Sequence, residues 1–194
     1  MGKIVAGQYL SLDGVTESGW TGLAPSISPT DPRTGAYFND AQVQQAVGEL
    51  MAGNDAMLLG RTTYENLKMF FTTQSGPYFD AVNAMPKYVV STTLESSDWN
   101  NTTILRDNLV KEMTALKDRH SQIGIGGSGT LIRWLIAENL LDELLLLVFP
   151  VVLGGPGARF FTRDQVPATF TLTDCHPLDC GVVSLTYTRQ DAQA

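Results

Sequence analysis

The sequence predicts an α/β fold in three layers (α/β/α), with a mostly parallel, twisted sheet and an antiparallel hairpin at its carboxyl-terminal end. Apolar runs with strand character alternate along the chain with amphipathic stretches of helical spacing. Two strand-to-helix turns are rich in glycine, and the last two strands follow each other without a helix between them. At 194 residues the chain is long enough to bury a sizeable core, so we expect residues 1–194 to form a single domain.

The first elements follow from alternation, capping and composition. Residues 3–10 alternate and are rich in strand-forming side chains, which predicts a first strand. Residues 15–39 are rich in Gly, Pro, Ser and Thr without periodicity, and a connection this long is often a functional loop such as a lid. Asp40 is a suitable N-cap for the helix that follows. Residues 56–59 and 62–70 predict a strand and then a helix.

The rest of the chain continues the alternation after a stretch near Gly76 and Pro77, where we expect no regular structure. The run at 143–152 is too continuously apolar for an exposed edge strand. The pattern predicts, in order, strands at 87–91 and 103–105, a helix at 109–119, a strand at 122–125, a helix at 131–137, and strands at 143–152, 169–175 and 182–189.

Charge and hydropathy exclude several classes of protein. The formal net charge is -7, and the 13 Lys and Arg residues are scattered, which argues against a nucleic-acid partner. The first residues enter a strand at once, leaving no room for a signal peptide. The longest apolar run, 144–153, is about half of what a membrane-spanning helix needs and contains Pro150. We therefore expect a cytoplasmic protein with no membrane partner.

Two cysteines near the end of the chain raise the question of a metal or a disulfide. Cys175 and Cys180 flank His176, and His120 is the other histidine of the chain. A structural zinc site normally has four well-placed ligands, so we expect no metal. Reduced thiols are the favoured interpretation, with a disulfide between the two cysteines as the alternative.

The two glycine turns indicate a phosphate-bearing ligand. Each follows a strand and opens a helix, whose free N–H groups and dipole attract anions. Arg61 could add a charge-assisted hydrogen bond, and two such turns on one domain favour a dinucleotide. The alternatives are a helix start capped by Thr62 and a tight turn that only serves packing. Because residue 130 is Thr, the second turn is not the G-x-S-x-G of a serine hydrolase, and neither turn ends like a P-loop.

Four motifs in this order resemble the dihydrofolate reductase superfamily. They are Ser-Leu-Asp-Gly at 11–14, Leu-Gly-Arg-Thr-Thr-Tyr at 59–64, Gly-Gly-Ser-Gly-Thr at 126–130 and Pro-Val-Val-Leu-Gly-Gly at 150–155. The likeness covers nearly the whole chain and is greatest to the bacterial branch similar to the reductase domain of the riboflavin biosynthesis bifunctional deaminase/reductase. It implies a dihydrofolate reductase-like fold that binds NADPH.

The resemblance also implies which residues hold the cofactor. Residues 60–63 would lie along its adenosine diphosphate half, residues 91 and 92 near the 2′-phosphate, and the second glycine turn around the pyrophosphate. In such proteins the Gly126–Gly127 peptide is often cis. The implied set is Gly60, Arg61, Thr62, Thr63, Ser91, Thr92, Gly126, Gly127, Ser128, Gly129, Thr130 and Leu131.

Asp13 is the candidate catalytic residue. In the functional interpretation its carboxylate anchors a heterocycle or relays a proton, with water as the final donor. The alternative is a turn aspartate that bonds to nearby backbone. Trp20, on the long loop, could close over the cleft and exclude water. Phe149, Pro150, Val152, Leu153 and Phe160 would line the substrate and nicotinamide side, with core packing as the alternative for such apolar residues. Leu12 and Trp20 complete the candidate substrate set.

The residues on the substrate side of the expected site differ from those of the characterised members of the superfamily. Gln44 stands near the position of the folate-anchoring acid, and Val15 and Gly126 replace the lysine and glutamate of the riboflavin enzymes. We therefore expect an NADPH-dependent reductase that passes a hydride to another small, heterocyclic substrate. The alternatives are a true dihydrofolate or riboflavin-pathway reductase with relocated acids, and a non-catalytic NADPH-binding module. The resemblance also implies a homodimer, to which the apolar run 144–152 could contribute.

Overall fold

The computed structural model describes residues 1–16, 27–155 and 158–190, and eight strands in that part of the chain form one sheet. A 3-10 helix at Gly35–Asn39 lies within the long connection after the first strand. The other elements are β1 (Lys3–Ser11), α1 (Ala41–Met51), β2 (Ala56–Gly60), α2 (Arg61–Phe71), α3 (Pro77–Ala84), β3 (Lys87–Val90), β4 (Thr102–Leu105), α4 (Leu109–Arg119), β5 (Gln122–Gly126), α5 (Gly129–Ala137), β6 (Glu143–Phe149), β7 (Phe170–Pro177) and β8 (Val183–Arg189).

The sheet order is β4-β3-β2-β5-β1-β6-β8-β7. The six strands from β4 to β6 pair in parallel, whereas β8 is antiparallel to β6 and to β7. Helices cover both faces, because α4 and α5 pack into one core cluster and α1, α2 and α3 pack into two others. The predicted fold class, with its antiparallel carboxyl-terminal hairpin, is confirmed.

Side-chain alternation along β2 divides these clusters between the two faces. Leu58 packs with the α4 and α5 cluster, while Met57 and Leu59 pack with α2 and α3. All three side chains are buried, as expected for a strand covered by helices on both sides.

The path of the chain creates a break in strand order beside β5. From β1 the chain runs to β2 and then outward to β4, and it returns to place β5 between β1 and β2. Gly7 of β1 pairs with Gly126 of β5, and Met57 of β2 pairs with Gly124. In parallel sheets, ligands bind beyond the carboxyl ends of the strands at such a point. The two glycine turns both lie there.

Helix α3 occupies the stretch that the sequence suggested to be irregular. Pro77 stands at its first turn, where a missing N–H is tolerated. The ammonium of Lys87 donates to carbonyls at the end of this helix, those of Asn83 at 2.8 Å and Met85 at 2.7 Å. Burial lowers the pKa of Lys87 to about 8. A short helix next to Gly76 leaves too few periodic positions to be recognised, and its end is completed by a residue of the next strand.

Strand β6 ends at Phe149, earlier than predicted. Pro150 has no N–H to donate to a sheet ladder, which explains the end of the strand. Strand β6 lies between β1 and β8, so both of its edges are paired within the sheet, and a contribution of the run 144–152 to a dimer face stays a prediction. The edge strand on this side of the sheet is β7, whose residues from Thr171 to Pro177 are exposed.

No helix in the described part of the chain is both long and apolar enough to cross a membrane. The two cysteines, exposed Cys175 and half-buried Cys180, are free thiols.

Candidate functional site

Two helices begin at the break in strand order without a side-chain cap. The N-cap residues are Gly60 for α2 and Ser128 for α5, and neither provides a capping hydrogen bond. Helix α1 is different, because the Asp40 carboxylate accepts hydrogen bonds from two backbone N–H groups of its first turn. An uncapped first turn leaves N–H groups available to an anion. The alternative in which Thr62 caps α2 is not realised, since Thr62 lies inside the helix.

A side-chain hydrogen bond joins the two glycine turns. The Gly60 N–H donates to the Ser128 hydroxyl at 3.0 Å, and the Gly127 N–H donates to the Gly7 carbonyl at 3.4 Å. The start of α2, the start of α5 and the middle of β1 are therefore held together.

The backbone of the second turn follows a path that favours glycine. Gly127 has φ of 71°, and Ser128 is in the left-handed region at φ 56°. A Cβ on Gly127 would lie 3.5 Å from the Thr63 methyl carbon, so the turn approaches α2 closely. The Gly126–Gly127 peptide is trans, unlike the cis bond that the family resemblance suggested.

Arg61 reaches from the start of α2 toward the turn after β3. Its Nε donates to the Glu65 carboxylate at 2.8 Å and its Nη1 donates to the Thr93 hydroxyl at 2.6 Å. The Ser91 hydroxyl is buried and accepts two backbone N–H groups of its own turn, while Thr92 is exposed. Arg61 and the predicted 2′-phosphate residues are therefore neighbours, although the Arg61 guanidinium and the Ser91 hydroxyl also have protein partners.

One large cleft, with a volume of about 850 Å³, contains both turns. Ser91 and Thr92 are outside its described lining, but all the other predicted cofactor residues belong to it. These are Gly60, Arg61, Thr62, Thr63, Gly126, Gly127, Ser128, Gly129, Thr130 and Leu131.

The cleft continues between α1 and α2 as an apolar slot that sequence reasoning missed. Gly7, Gly124 and Gly126 of β1 and β5 belong to the lining of the same cleft. Helical spacing along α1 and α2 carries the signal for its walls, but core residues have the same spacing. The walls of the slot are formed by Tyr9, Ile27, Phe38, Val47 and Met51 on one side and Leu67, Phe70, Phe71 and Tyr78 on the other.

Gln8 is a polar residue of the cleft that the sequence did not single out. It is buried within β1, and its amide nitrogen contacts the Thr16 hydroxyl. Its amide oxygen has no hydrogen-bond partner among the described residues. Its position between apolar strand residues gives no sign of this environment.

The Asp13 carboxylate is held by four groups of the protein. The Ser11 hydroxyl donates to it at 2.7 Å, and the backbone N–H groups of Leu153 and Gly154 donate at 3.1 and 2.9 Å. The Arg159 guanidinium lies 3.5 Å away. The Ser11 hydrogen bond, followed by those from the backbone, holds the pKa of Asp13 well below its usual range. The carboxylate is therefore ionised at neutral pH and joins the turn after β1 to the loop after β6.

A comparison with models of protein families assigns the chain to a family. A model of the RibD C-terminal domain matches residues 3–184. The chain belongs to the RibD C-terminal domain family. It is also 27% identical over 139 residues to the uncharacterized protein YyaP of Bacillus subtilis (strain 168), a match that covers 69% of this chain and 73% of YyaP.

Solved structures share the fold of this RibD C-terminal domain protein. A putative riboflavin biosynthesis protein from Shewanella sp. PV-4 superposes with a TM-score of 0.66 at 21% identity, covering 97% of this chain and 99% of the other. The dihydrofolate reductase of Enterococcus faecalis, complexed with NADP(H) and RAB-propyl, gives a TM-score of 0.61 at 18% identity and covers 98% of both chains. The family model confirms the predicted resemblance to the reductase domain of the riboflavin enzymes, and the superpositions confirm a dihydrofolate reductase-like fold.

None of the predicted substrate residues in the described part of the chain belongs to the lining of the cleft. Leu12 and Val152 are exposed, whereas Leu153 and Phe160 are buried. Pro150 is exposed, and none of these five contributes to the described lining of the cleft. Trp20 lies outside the described residues. Their contact with a substrate, like a catalytic role of Asp13, stays a prediction.

The position expected for a folate-anchoring acid faces solvent. Gln44 is exposed, and its amide donates to the Phe38 carbonyl at 3.1 Å. Glu49, the nearest acid on α1 in the carboxyl-terminal direction, accepts a hydrogen bond from Gln45 at 3.0 Å on the exposed side of the helix. Within the described lining of the cleft, Arg61 is the one charged side chain.

Proposed function

We propose that the protein is an NADPH-dependent reductase that transfers a hydride to a small, heterocyclic substrate. The observation that carries the proposal is the pair of uncapped helix starts, α2 and α5, that share one cleft and are joined by the hydrogen bond from Gly60 to Ser128. Family membership and fold support a reductase of the riboflavin or dihydrofolate reductase type. The Enterococcus faecalis dihydrofolate reductase with the same fold was solved with NADP(H).

The residues of the two turns fit a pyrophosphate. Two helix starts supply backbone N–H donors, and glycines at 126, 127 and 129 let a ligand approach the main chain. A Cβ at Gly126 would meet nothing within 4 Å, so there is open space above this residue. In this proposal residues 60–63 and 126–131 hold the cofactor, and its reduced nicotinamide supplies the hydride.

Arg61, Ser91 and Thr92 are proposed to recognise the 2′-phosphate. The hydrogen bond from Arg61 to Thr93 places the guanidinium beside the turn that contains Ser91 and Thr92. A guanidinium can add a charge-assisted hydrogen bond to a phosphate without changing its protonation state.

Asp13 is proposed as a positioning residue of the reductase. Its ionised carboxylate accepts hydrogen bonds from Leu153 and Gly154, which fixes the loop after β6 relative to β1. A carboxylate with a lowered pKa is a poor proton donor at neutral pH, so we assign proton delivery to water.

A fluorescence titration with NADPH and NADH tests this function. Trp134 of α5 lines the cleft and can transfer energy to a bound reduced nicotinamide, whereas Trp99 is buried elsewhere in the core. We expect saturable, micromolar binding with NADPH preferred, and a weaker energy-transfer signal in Trp134→Phe at the same affinity. Absence of saturable binding of either nucleotide, checked by calorimetry, would contradict the proposal.

A further inference from the structure

The half-buried Arg133 of α5 reaches back to the first turn of its own helix. Side chains of a helix lean toward its amino terminus, and the Arg133 Nη2 donates to the Thr130 hydroxyl at 3.1 Å. A Cβ on Gly129, the first residue of α5, would lie 3.5 Å from the Arg133 Nη1. The guanidinium therefore lies against the two residues that open α5, and both of these line the cleft.

This position of a positive charge is unfavourable for the helix by itself. The amino-terminal end of a helix carries a partial positive charge, and the first turn of α5 contains no acidic residue. The Thr162 hydroxyl and, to a smaller extent, the Arg133 charge lower the pKa of Asp164, an exposed acid on a later loop. An exposed carboxylate offsets little of the repulsion, because water screens it. The charge becomes favourable here when an anion binds at the start of α5.

The Thr130 hydroxyl keeps its own proton as a donor. A hydroxyl has one O–H and two lone pairs, and the N–H of Arg133 Nη2 occupies one lone pair. Thr130 is exposed and lines the cleft. Hydrogen bonds in a chain polarise one another, so a hydroxyl that accepts from a guanidinium is a stronger donor. Thr130 can therefore donate to a phosphate oxygen in the cleft while Arg133 supports it from behind.

The other half of the guanidinium holds the return segment, which we define as residues 158–160. Arg133 Nη1 donates to the Phe160 carbonyl at 3.1 Å. Phe160 is fully buried and belongs to the same core cluster as Leu131 of α5. A planar fork that contacts two groups at once fixes their relative position. One side chain thus joins the start of α5 to the return segment.

The return segment is bonded in turn to the loop that carries Asp13. The Phe160 N–H donates to the Gly14 carbonyl at 3.0 Å. The Arg159 guanidinium donates to the Asp13 carbonyl and lies 3.5 Å from the Asp13 carboxylate. A series of contacts therefore runs from the start of α5, through Arg133 and the return segment, to Asp13.

We propose that Arg133 is a positioning residue of the reductase, which aims the Thr130 hydroxyl at the cofactor phosphates and couples cofactor binding to the return segment and Asp13. This inference rests on the proposed function and deepens it. Arg133 acts through other groups, because its two hydrogen bonds go to Thr130 and Phe160. The role explains why a cation lies at the positive end of a helix.

A double-mutant cycle, measured by calorimetric titration with NADPH, tests the contact with Thr130. Arg133→Met keeps the aliphatic stem and removes both donors, and Thr130→Val removes the hydroxyl at nearly constant shape. We expect about 5- to 10-fold weaker NADPH binding in each single variant. The double variant should lose no more than either single variant, because both changes break the same chain of hydrogen bonds. Losses that multiply in the double variant, or natural affinity in Arg133→Met, would overturn the inference.

Arg163→Met is the matched control, because Arg163 is an exposed arginine just beyond the return segment. We expect it to bind NADPH as the natural chain does. If it loses as much affinity as Arg133→Met, removal of any nearby positive charge explains the loss and the assignment fails. Arg133→Gln, which has no charge and a shorter side chain, serves the same test if Arg133→Met does not fold.

Hydrogen exchange of backbone amides tests the coupling to Asp13. The Phe160 N–H reports on the return segment, and the Leu153 and Gly154 N–H groups report on the Asp13 carboxylate. In the natural chain, saturating NADPH should slow the exchange of these three amides by about fivefold. In Arg133→Met, NADPH should still slow exchange in α5 but leave these three unchanged. Equal protection by NADPH in both chains would mean that Arg133 is only structural, and the inference would be wrong.

The same titrations separate this inference from the proposed function. If the natural chain does not bind NADPH, the reductase proposal fails and this inference fails with it. If NADPH binds with an affinity that does not depend on Arg133, only the role of Arg133 is contradicted and the reductase proposal stands.

Discussion

At the scale of single residues, the Asp13 carboxylate holds two loops together. It accepts hydrogen bonds from Ser11, Leu153 and Gly154, and the Asp13 side chain is only 21% exposed. Asp13→Asn replaces one acceptor oxygen by a donor, so at least one backbone N–H loses its partner. We expect a loss of about 1.5–3 kcal/mol in the free energy of unfolding at pH 7, measured by urea denaturation.

The pH dependence of this variant has a definite sign. The folded state lowers the pKa of Asp13, so its stabilising contribution is present above the unfolded value of about 3.9 and is lost as the pH falls below it. The difference in unfolding free energy between the natural chain and Asp13→Asn should therefore shrink below about pH 4. The exposed Asp107, changed to Asn, is the control. If Asp13→Asn and Asp107→Asn lose the same amount of unfolding free energy at pH 7, the structural role of Asp13 is contradicted.

Arg61 carries the prediction for cofactor choice. Its guanidinium lies beside Thr93, at the turn proposed to face the 2′-phosphate that distinguishes NADPH from NADH. Arg61→Ala should weaken the binding of NADPH by about 10- to 100-fold, which corresponds to the loss of about 1.5–3 kcal/mol of binding free energy. The binding of NADH should weaken much less. Calorimetric titration measures both.

Arg119→Ala is the matched control, because Arg119 ends α4 just before the amino-terminal end of β5, whereas the second glycine turn follows the carboxyl end of that strand. If Arg61→Ala loses the same affinity for NADPH and for NADH, Arg61 lies at the pyrophosphate or outside the site.

At the scale of secondary-structure elements, the hydroxyl of Ser128 couples the start of α2 to the start of α5. Ser128→Ala and Ser128→Gly both remove it, and each should bind NADPH about 5- to 10-fold more weakly, since about 1 kcal/mol is lost. Because residue 128 has φ of 56°, the Gly variant should be about 1 kcal/mol more stable than the Ala variant. Thermal unfolding and NADPH titration separate the two effects. If both variants bind NADPH as tightly as the natural chain does, the hydrogen bond between Ser128 and Gly60 is unimportant for cofactor binding.

Element boundaries show where local sequence is informative. Asp40 caps α1 as predicted, because its carboxylate and the N–H groups it accepts are only two and three residues apart. Helix α3 was missed because it has eight residues and follows the Gly76–Pro77 pair. Pro150 signals the end of β6, but the continuous apolar pattern extended the predicted strand past it.

At the scale of the whole molecule, the cleft joins helices from opposite faces of the sheet. A cofactor that binds both α2 and α5 stabilises only the folded chain. At 100 times its dissociation constant, NADPH should add about 2.7 kcal/mol and raise the melting temperature by roughly 5–10 °C. Differential scanning fluorimetry measures the shift. Ser128→Ala should show a smaller shift at the same NADPH concentration, and a shift equal to that with adenosine would contradict binding across both turns.

Single-domain organisation, dimerisation and cytoplasmic location remain predictions from the sequence. The same holds for a contribution of the run 144–152 to a dimer face, whose strand β6 lies inside the sheet while β7 lies at its edge.

Local pattern and residue identity were sufficient to predict the fold class and the positions of both glycine turns, while the absence of a folate-anchoring acid near Gln44 stays a prediction from the family resemblance. Only the tertiary structure showed that Ser128 bonds to Gly60, that Asp13 is engaged by Leu153 and Gly154, and that aromatic walls from α1, α2 and α3 form a slot. Those contacts join residues far apart in the chain. Local periodicity records that a side chain faces inward, whereas the order of strands in the sheet decides whether it meets another side chain or a cleft.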